Sequence, residues 1–131
     1  MNRRRVALTR AYENAVYTAE LPAGQVEFRI GARPIGPAPA GVLAIITAWN
    51  PGFERPSAAD NRKANQRLSD LLHTSGWTVH PASGRNLHGT HEEPSLAIMG
   101  VDPESALAFA RRFNQAAILY WDGTAARLLW C

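Results

Sequence analysis

Cysteine is almost missing from this chain. The single thiol, Cys131, leaves no partner for an intrachain disulfide and rules out a cysteine-rich metal site. Long apolar runs are missing too. Although 46% of the 131 residues are hydrophobic, none of their runs approaches the ~20 residues that a membrane-spanning helix needs, so no membrane partner is expected. Charge of one sign is scarce: 14 basic residues face 11 acidic ones, and Arg3, Arg4 and Arg5 are as many as the excess of +3. That excess belongs to a disordered basic tip over residues 1–6, not to a binding face, and nucleic acid is not an expected partner. The following V-A-L-T-R-A-Y-E-N holds no apolar core of a signal peptide, which predicts a cytoplasmic protein. A glycine-rich phosphate loop is also lacking. Gly31, Gly36 and Gly41 bracket prolines and precede a strand, whereas phosphate loops follow one.

What is present predicts one α+β domain spanning 1–131. Val42 to Thr47 is apolar or β-branched without alternation, the mark of a strand buried on both faces. It stops at Asn50-Pro51, where proline cannot donate to a ladder and a buried strand must open into a polar turn. Upstream, Tyr12 to Leu21 and Gln25 to Ile30 read as a hairpin around Pro22-Ala23-Gly24, with Val26, Phe28 and Ile30 alternating with polar residues. Downstream, Ser57 is a helix N-cap with Asp60 in the capping-box position. Ala64, Leu68, Leu71 and Leu72 give that helix its apolar face, and Gly76 ends it.

Trp77 to Pro81 reads as a short strand, and residues 82–93 as the least regular segment. Ser95 to Val101 reads as a strand, and Asp102-Pro103 opens a second helix with Ala106, Phe109, Ala110 and Phe113 inward. Two last strands, Ala116 to Trp121 and Ala126 to Trp130, meet through Asp122-Gly123. Without the first hairpin and last strand, the order is strand, helix, strand, strand, helix, strand. That order predicts a ferredoxin-like split βαβ sheet, extended by an N-terminal hairpin and a C-terminal edge strand.

In such a sheet the end of the first central strand and the starts of the third and fourth share one edge, where the first helix also begins. Asn50, Asn61, Glu93, Ser95 and Gln115 are therefore expected to converge into a site for a small polar or anionic ligand. Glu93 is the candidate acid or base, because a carboxylate beside a buried strand needs either a partner or a raised pKa. Two alternatives stand beside this reading. The polar cluster is scaffolding in a module that homodimerises, by pairing the edge of the apolar strand Arg127 to Trp130 or by packing the open face of its sheet, or the chain binds nucleic acid weakly through its arginines.

Other chemistry is poorly served. His88, His91 and Glu92 are closely spaced, but Gly89 denies them the helix on which zinc-protease histidines sit, so neither a metal nor another cofactor is expected. Ser95 begins a strand without the sharp turn of a nucleophile elbow. Trp49 at a strand end and Leu96, Ile98 and Met99 form no aromatic platform for stacking RNA bases.

Several motifs recur in order along the chain: Tyr12 with Tyr17, Arg29-Ile30-Gly31, Ile46 to Pro51, Asn61, Glu93-Pro94-Ser95 through Gly100, and Phe113 to Ile118. In these the chain resembles the bacterial domain-of-unknown-function family 3293. It departs at Phe113-Asn114-Gln115-Ala116-Ala117, where the family tends to F-G-Q-N-A, and at Ala15 or Val16, where a threonine is usual. The resemblance implies a common fold and Asn50, Asn61, Glu93, Ser95 and Gln115 as shared positions. No activity comes with it.

Overall fold

The computed structural model describes residues 10, 12–51, 55–85 and 92–131. The arginine tip and the His88/His91 segment lie outside them. Strands β1 (Val16–Leu21) and β2 (Gly24–Phe28) form the expected hairpin, with Leu21 opposite Gly24, so that only Pro22 and Ala23 make the turn. β1 begins later than the sequence predicts. Tyr12 and Glu13 form a helical turn, in which the Asn14 N–H reaches the Arg10 carbonyl at 3.1 Å. None of the residues from Tyr12 to Ala15 is β-branched, which leaves that turn unopposed.

β3 (Leu43–Ile46) is one residue shorter at each end than expected, and all four of its side chains are buried. Helix α1 (Ala58–Thr74) is capped by Ser57, whose hydroxyl accepts the Asp60 N–H at 3.1 Å, and ends before Gly76 at φ 86°. Its inward residues are Asn61, Leu68 and Leu72, while Leu71 stays half-exposed. Helix α2 (Pro103–Arg112) is capped by Asp102, which accepts the Ser105 N–H at 3.0 Å. It buries Leu107 beside Ala106 and Ala110, leaving Phe109 and Phe113 half-exposed.

β4 (Val79–Arg85) corrects the sequence reading, because it takes in Ala82 to Arg85 from the segment read as irregular. Ala82 to Arg85 pair on both sides, with β1 and with β5 (Glu92–Met99), so tertiary ladders override the turn-forming composition of P-A-S-G-R. Pro81 sits just past the β1 pairing, where its missing N–H costs no ladder bond on that side. β6 (Ala117–Trp121) and β7 (Ala126–Trp130) complete the sheet, in the order β2-β1-β4-β5-β3-β6-β7 with all neighbours antiparallel. It follows that β3 and β4 run parallel with β5 between them, joined through α1. β5 and β6 run parallel with β3 between them, joined through α2.

Both helices cover one face of the sheet, packing Leu68, Leu72, Ala106 and Ala110 on Ala44, Ile46, Ile98 and Ile118. Among the described elements neither helix covers the other face, yet Leu43, Ala97 and Leu119 are fully buried there. The sheet curls to bury them. A flat sheet would hold β2 and β6, five steps apart, about 24 Å from one another, but the rings of Phe28 and Trp121 lie 5.6 Å apart. Two cores, one under the helices and one inside the curl, explain why β3 shows no alternation. The outer edge of β2 is capped by a bridge between Glu27 and Ile35, with N–H to O distances of 2.8 and 2.9 Å in the two directions. Among the described residues no helix is long and apolar enough to cross a membrane.

Candidate functional site

Where β3 ends, the sequence T-A-W-N-P is tied down residue by residue. The Thr47 hydroxyl donates to the Pro94 carbonyl at 2.7 Å and accepts the Trp49 N–H at 3.0 Å. Asn65, on α1, accepts the Ala48 N–H at 2.7 Å and donates to the same Pro94 carbonyl at 2.9 Å. One turn earlier on the helix, Asn61 is only 3% exposed and holds Asn50 twice. Its Oδ1 accepts the Asn50 N–H, and its Nδ2 donates to Asn50 Oδ1, both at 2.9 Å.

Asn50 sits at φ 47°, in the left-handed region, which costs about 1 kcal/mol or more and which asparagine tolerates better than most side chains. That conformation carries its Nδ2 to Glu93 Oε1, at 3.2 Å. Asn50 thus links the helical layer, through Asn61, to Glu93 on β5. Glu93 and the fully buried Ala97 lie on the same side of that strand, which places the carboxylate on the concave side of the sheet.

On that side Tyr17, Gly84 and Glu93 form a row across β1, β4 and β5. Gly84 has no side chain, and the Tyr17 ring lies over it, at 3.6 Å from where a Cβ would stand. Beside the row lies a void of about 40 Å³, lined by Tyr12, Tyr17, Thr47, Glu93, Ser95 and Gln115 over an apolar floor of Ile45 and Leu119. Such a volume admits one water-sized group. Desolvation pushes the Tyr12 hydroxyl up to about 12, helped by the Glu93 charge and opposed by Arg55. Tyr17 is raised further, again mainly by burial, with Tyr12 and Glu93 adding to it. Both phenols therefore stay protonated near neutral pH and can donate hydrogen bonds.

The family described as protein of unknown function (DUF3293) matches residues 46–118, more than half of the chain. The chain belongs to this family. No curated protein and no solved structure matches it. The DUF3293 match opens at the end of β3 and closes inside β6, so it holds Asn50, Asn61, Glu93, Ser95 and Gln115 but neither Tyr12 nor Tyr17.

All five residues singled out in the sequence meet at this edge. Asn50, Asn61 and Glu93 are joined by direct hydrogen bonds, while Glu93, Ser95 and Gln115 line the one void. Two of them are spent locally. The Ser95 hydroxyl donates to the Glu93 carbonyl at 3.1 Å, and Gln115 Nε2 donates to the carbonyls of Phe113 at 3.3 Å and Trp49 at 3.4 Å. Nothing in the sequence marks Thr47 as a site residue, and Tyr12 and Tyr17 stand out there only as motif positions. For Asn65 the signal was there, four residues after Asn61 on the same helical face. His80 is half-buried on β4, opposite Ala97, and among the described residues no group of three metal-ligating side chains comes together.

Proposed function

We propose that this DUF3293 protein binds a small polar molecule at the edge of the sheet, with Glu93 accepting hydrogen bonds from it and serving as the candidate acid or base. One observation carries the reading. Asn50 is held in a costly left-handed conformation by two bonds from Asn61, and the outcome is a positioned carboxylate beside a void that protonated tyrosines line. Backbone strain of that kind is typical of functional sites, because a turn serving only the fold could use glycine at lower cost. The void takes one polar group of the ligand, with the Tyr12 hydroxyl as donor to it and Glu93 as acceptor, while the Tyr17 hydroxyl donates to the Tyr12 carbonyl at 3.5 Å. The strand order β4-β5-β3-β6, with a helix in each crossover, supports a ferredoxin-like reading of the central unit.

Thermal unfolding against a panel of amino acids, sugar phosphates, nucleotides and metal ions tests this, run in parallel with Glu93→Gln. A ligand at a hundredfold excess over its dissociation constant stabilises the folded state by about 2.7 kcal/mol, and the expected result is a shift lost in the variant. If no compound shifts the protein and Glu93→Gln is merely less stable, the cluster is scaffolding.

A further inference from the structure

On the helical side of the sheet, a separate cleft of about 400 Å³ opens between α1 and the C-terminal end of α2. Its apolar lining is Ala48, Pro51, Ala64, Leu71 and Phe113, and its polar lining residues are Arg67, Arg112 and Asn114. Among the described residues that line it, none is acidic. Among the described residues, Arg29, Arg85 and Arg127 each stand within 3.4 Å of a carboxylate oxygen, but neither Arg67 nor Arg112 has such a partner. Two arginines from different helices, neither with a carboxylate partner among the described residues, thus border one concavity with a largely apolar lining. A dianion in the cleft would meet two cationic side chains, and arginine's planar fork suits phosphate oxygens.

We propose that this cleft binds a small phosphomonoester with an apolar body: Arg67 and Arg112 take the phosphate, Asn114 adds an amide, and Phe113 and Leu71 pack on the body. A cleft of this size is in the range of small-molecule sites. The proposal does not rest on the ligand reading of Glu93, which lies on the opposite face of the sheet.

The test is a titration of the full chain with phenyl phosphate at constant ionic strength, followed by amide chemical shifts. Saturable shifts are expected at Ala64, Arg67, Phe113 and Asn114. Arg67→Gln and Arg112→Gln should each weaken binding roughly tenfold or more, as expected for loss of a charge-assisted hydrogen bond. Both side chains are exposed, so the melting temperature should not move with them. Arg62→Gln makes the same change of charge on the other side of α1, beside Trp49 and Pro94, and should leave binding unchanged. Glu93→Gln should leave it unchanged as well, which separates this site from the sheet edge. A response that does not saturate, an equal loss in Arg62→Gln, or phenol binding as tightly as phenyl phosphate would overturn the proposal. So would a single-stranded oligonucleotide that binds through both arginines while phenyl phosphate does not, since the surface would then serve nucleic acid.

Discussion

Asn50 shows how much one side chain can be made to do. Its backbone N–H, its Oδ1 and its Nδ2 are all engaged, and its φ of 47° is the conformation that brings them to Asn61 and Glu93. Substitution separates the conformation from the bonds. Asn50→Ala loses both side-chain bonds, keeps a Cβ in left-handed geometry and strands the buried Asn61 amide, a combined loss of about 2–4 kcal/mol. Asn50→Gly loses the same bonds but adopts the conformation freely, so it should be about 1 kcal/mol more stable than the alanine variant. Urea denaturation of the two variants decides the point. Equal stabilities would show that the left-handed turn carries no strain. The residue was legible from sequence because a polar side chain before proline, at the end of a strand with no alternation, has few other uses. Its bond to Glu93 was not legible as a contact, because it crosses 43 positions of chain and depends on which strands are neighbours.

At the scale of elements, β4 is where sequence and structure part. Local chemistry in P-A-S-G-R says turn, and the structure makes it a strand with a ladder on each side. The helices, by contrast, were legible because their signals are local: Ser57 and Asp102 cap them, Gly76 ends the first, and apolar residues recur at helical spacing. Gly84 shows why the residues of β4 are what they are. An alanine there meets the Tyr17 ring at ordinary contact distance, 3.6 Å. Gly84→Ala should therefore stay within about 0.5 kcal/mol of the parent, the range of a substitution that disturbs no packing. Gly84→Val must displace the ring and should cost about 1–3 kcal/mol, as overpacking does. Denaturant unfolding measures both, and Tyr17 ring resonances report the displacement. If valine were as well tolerated as alanine, Tyr17 would not be held over Gly84, and the row from Tyr17 to Glu93 would be wrong.

For the whole molecule, the decisive feature is the curl. Alternation in Val26 and Phe28 announced a half-buried hairpin, but nothing local says that β1 docks beside β4, with Val16 opposite Arg85. Nor does anything local say that the sheet then bends until Phe28 reaches Trp121. The bend follows from composition taken globally: Leu43, Ile45, Ala97 and Leu119 need a cover, only two helices exist among the described elements, and both lie on the opposite face. The chain supplies that cover itself, with Phe28 and Val26 from the hairpin and with Trp121, whose indole N–H donates to the Pro39 carbonyl at 3.2 Å. The face of the sheet that could pack on a second copy is thus filled from within, while β7 stands at the end of the strand order with β6 as its neighbour. A double-mutant cycle tests the curl directly. Phe28→Leu and Trp121→Leu should each destabilise, and the pair should show a coupling of about 0.5–1.5 kcal/mol, the value for aromatic rings in contact. On a flatter sheet the two positions would share no partner, their effects would add within about 0.5 kcal/mol, and the second core would have to be closed by something other than this chain.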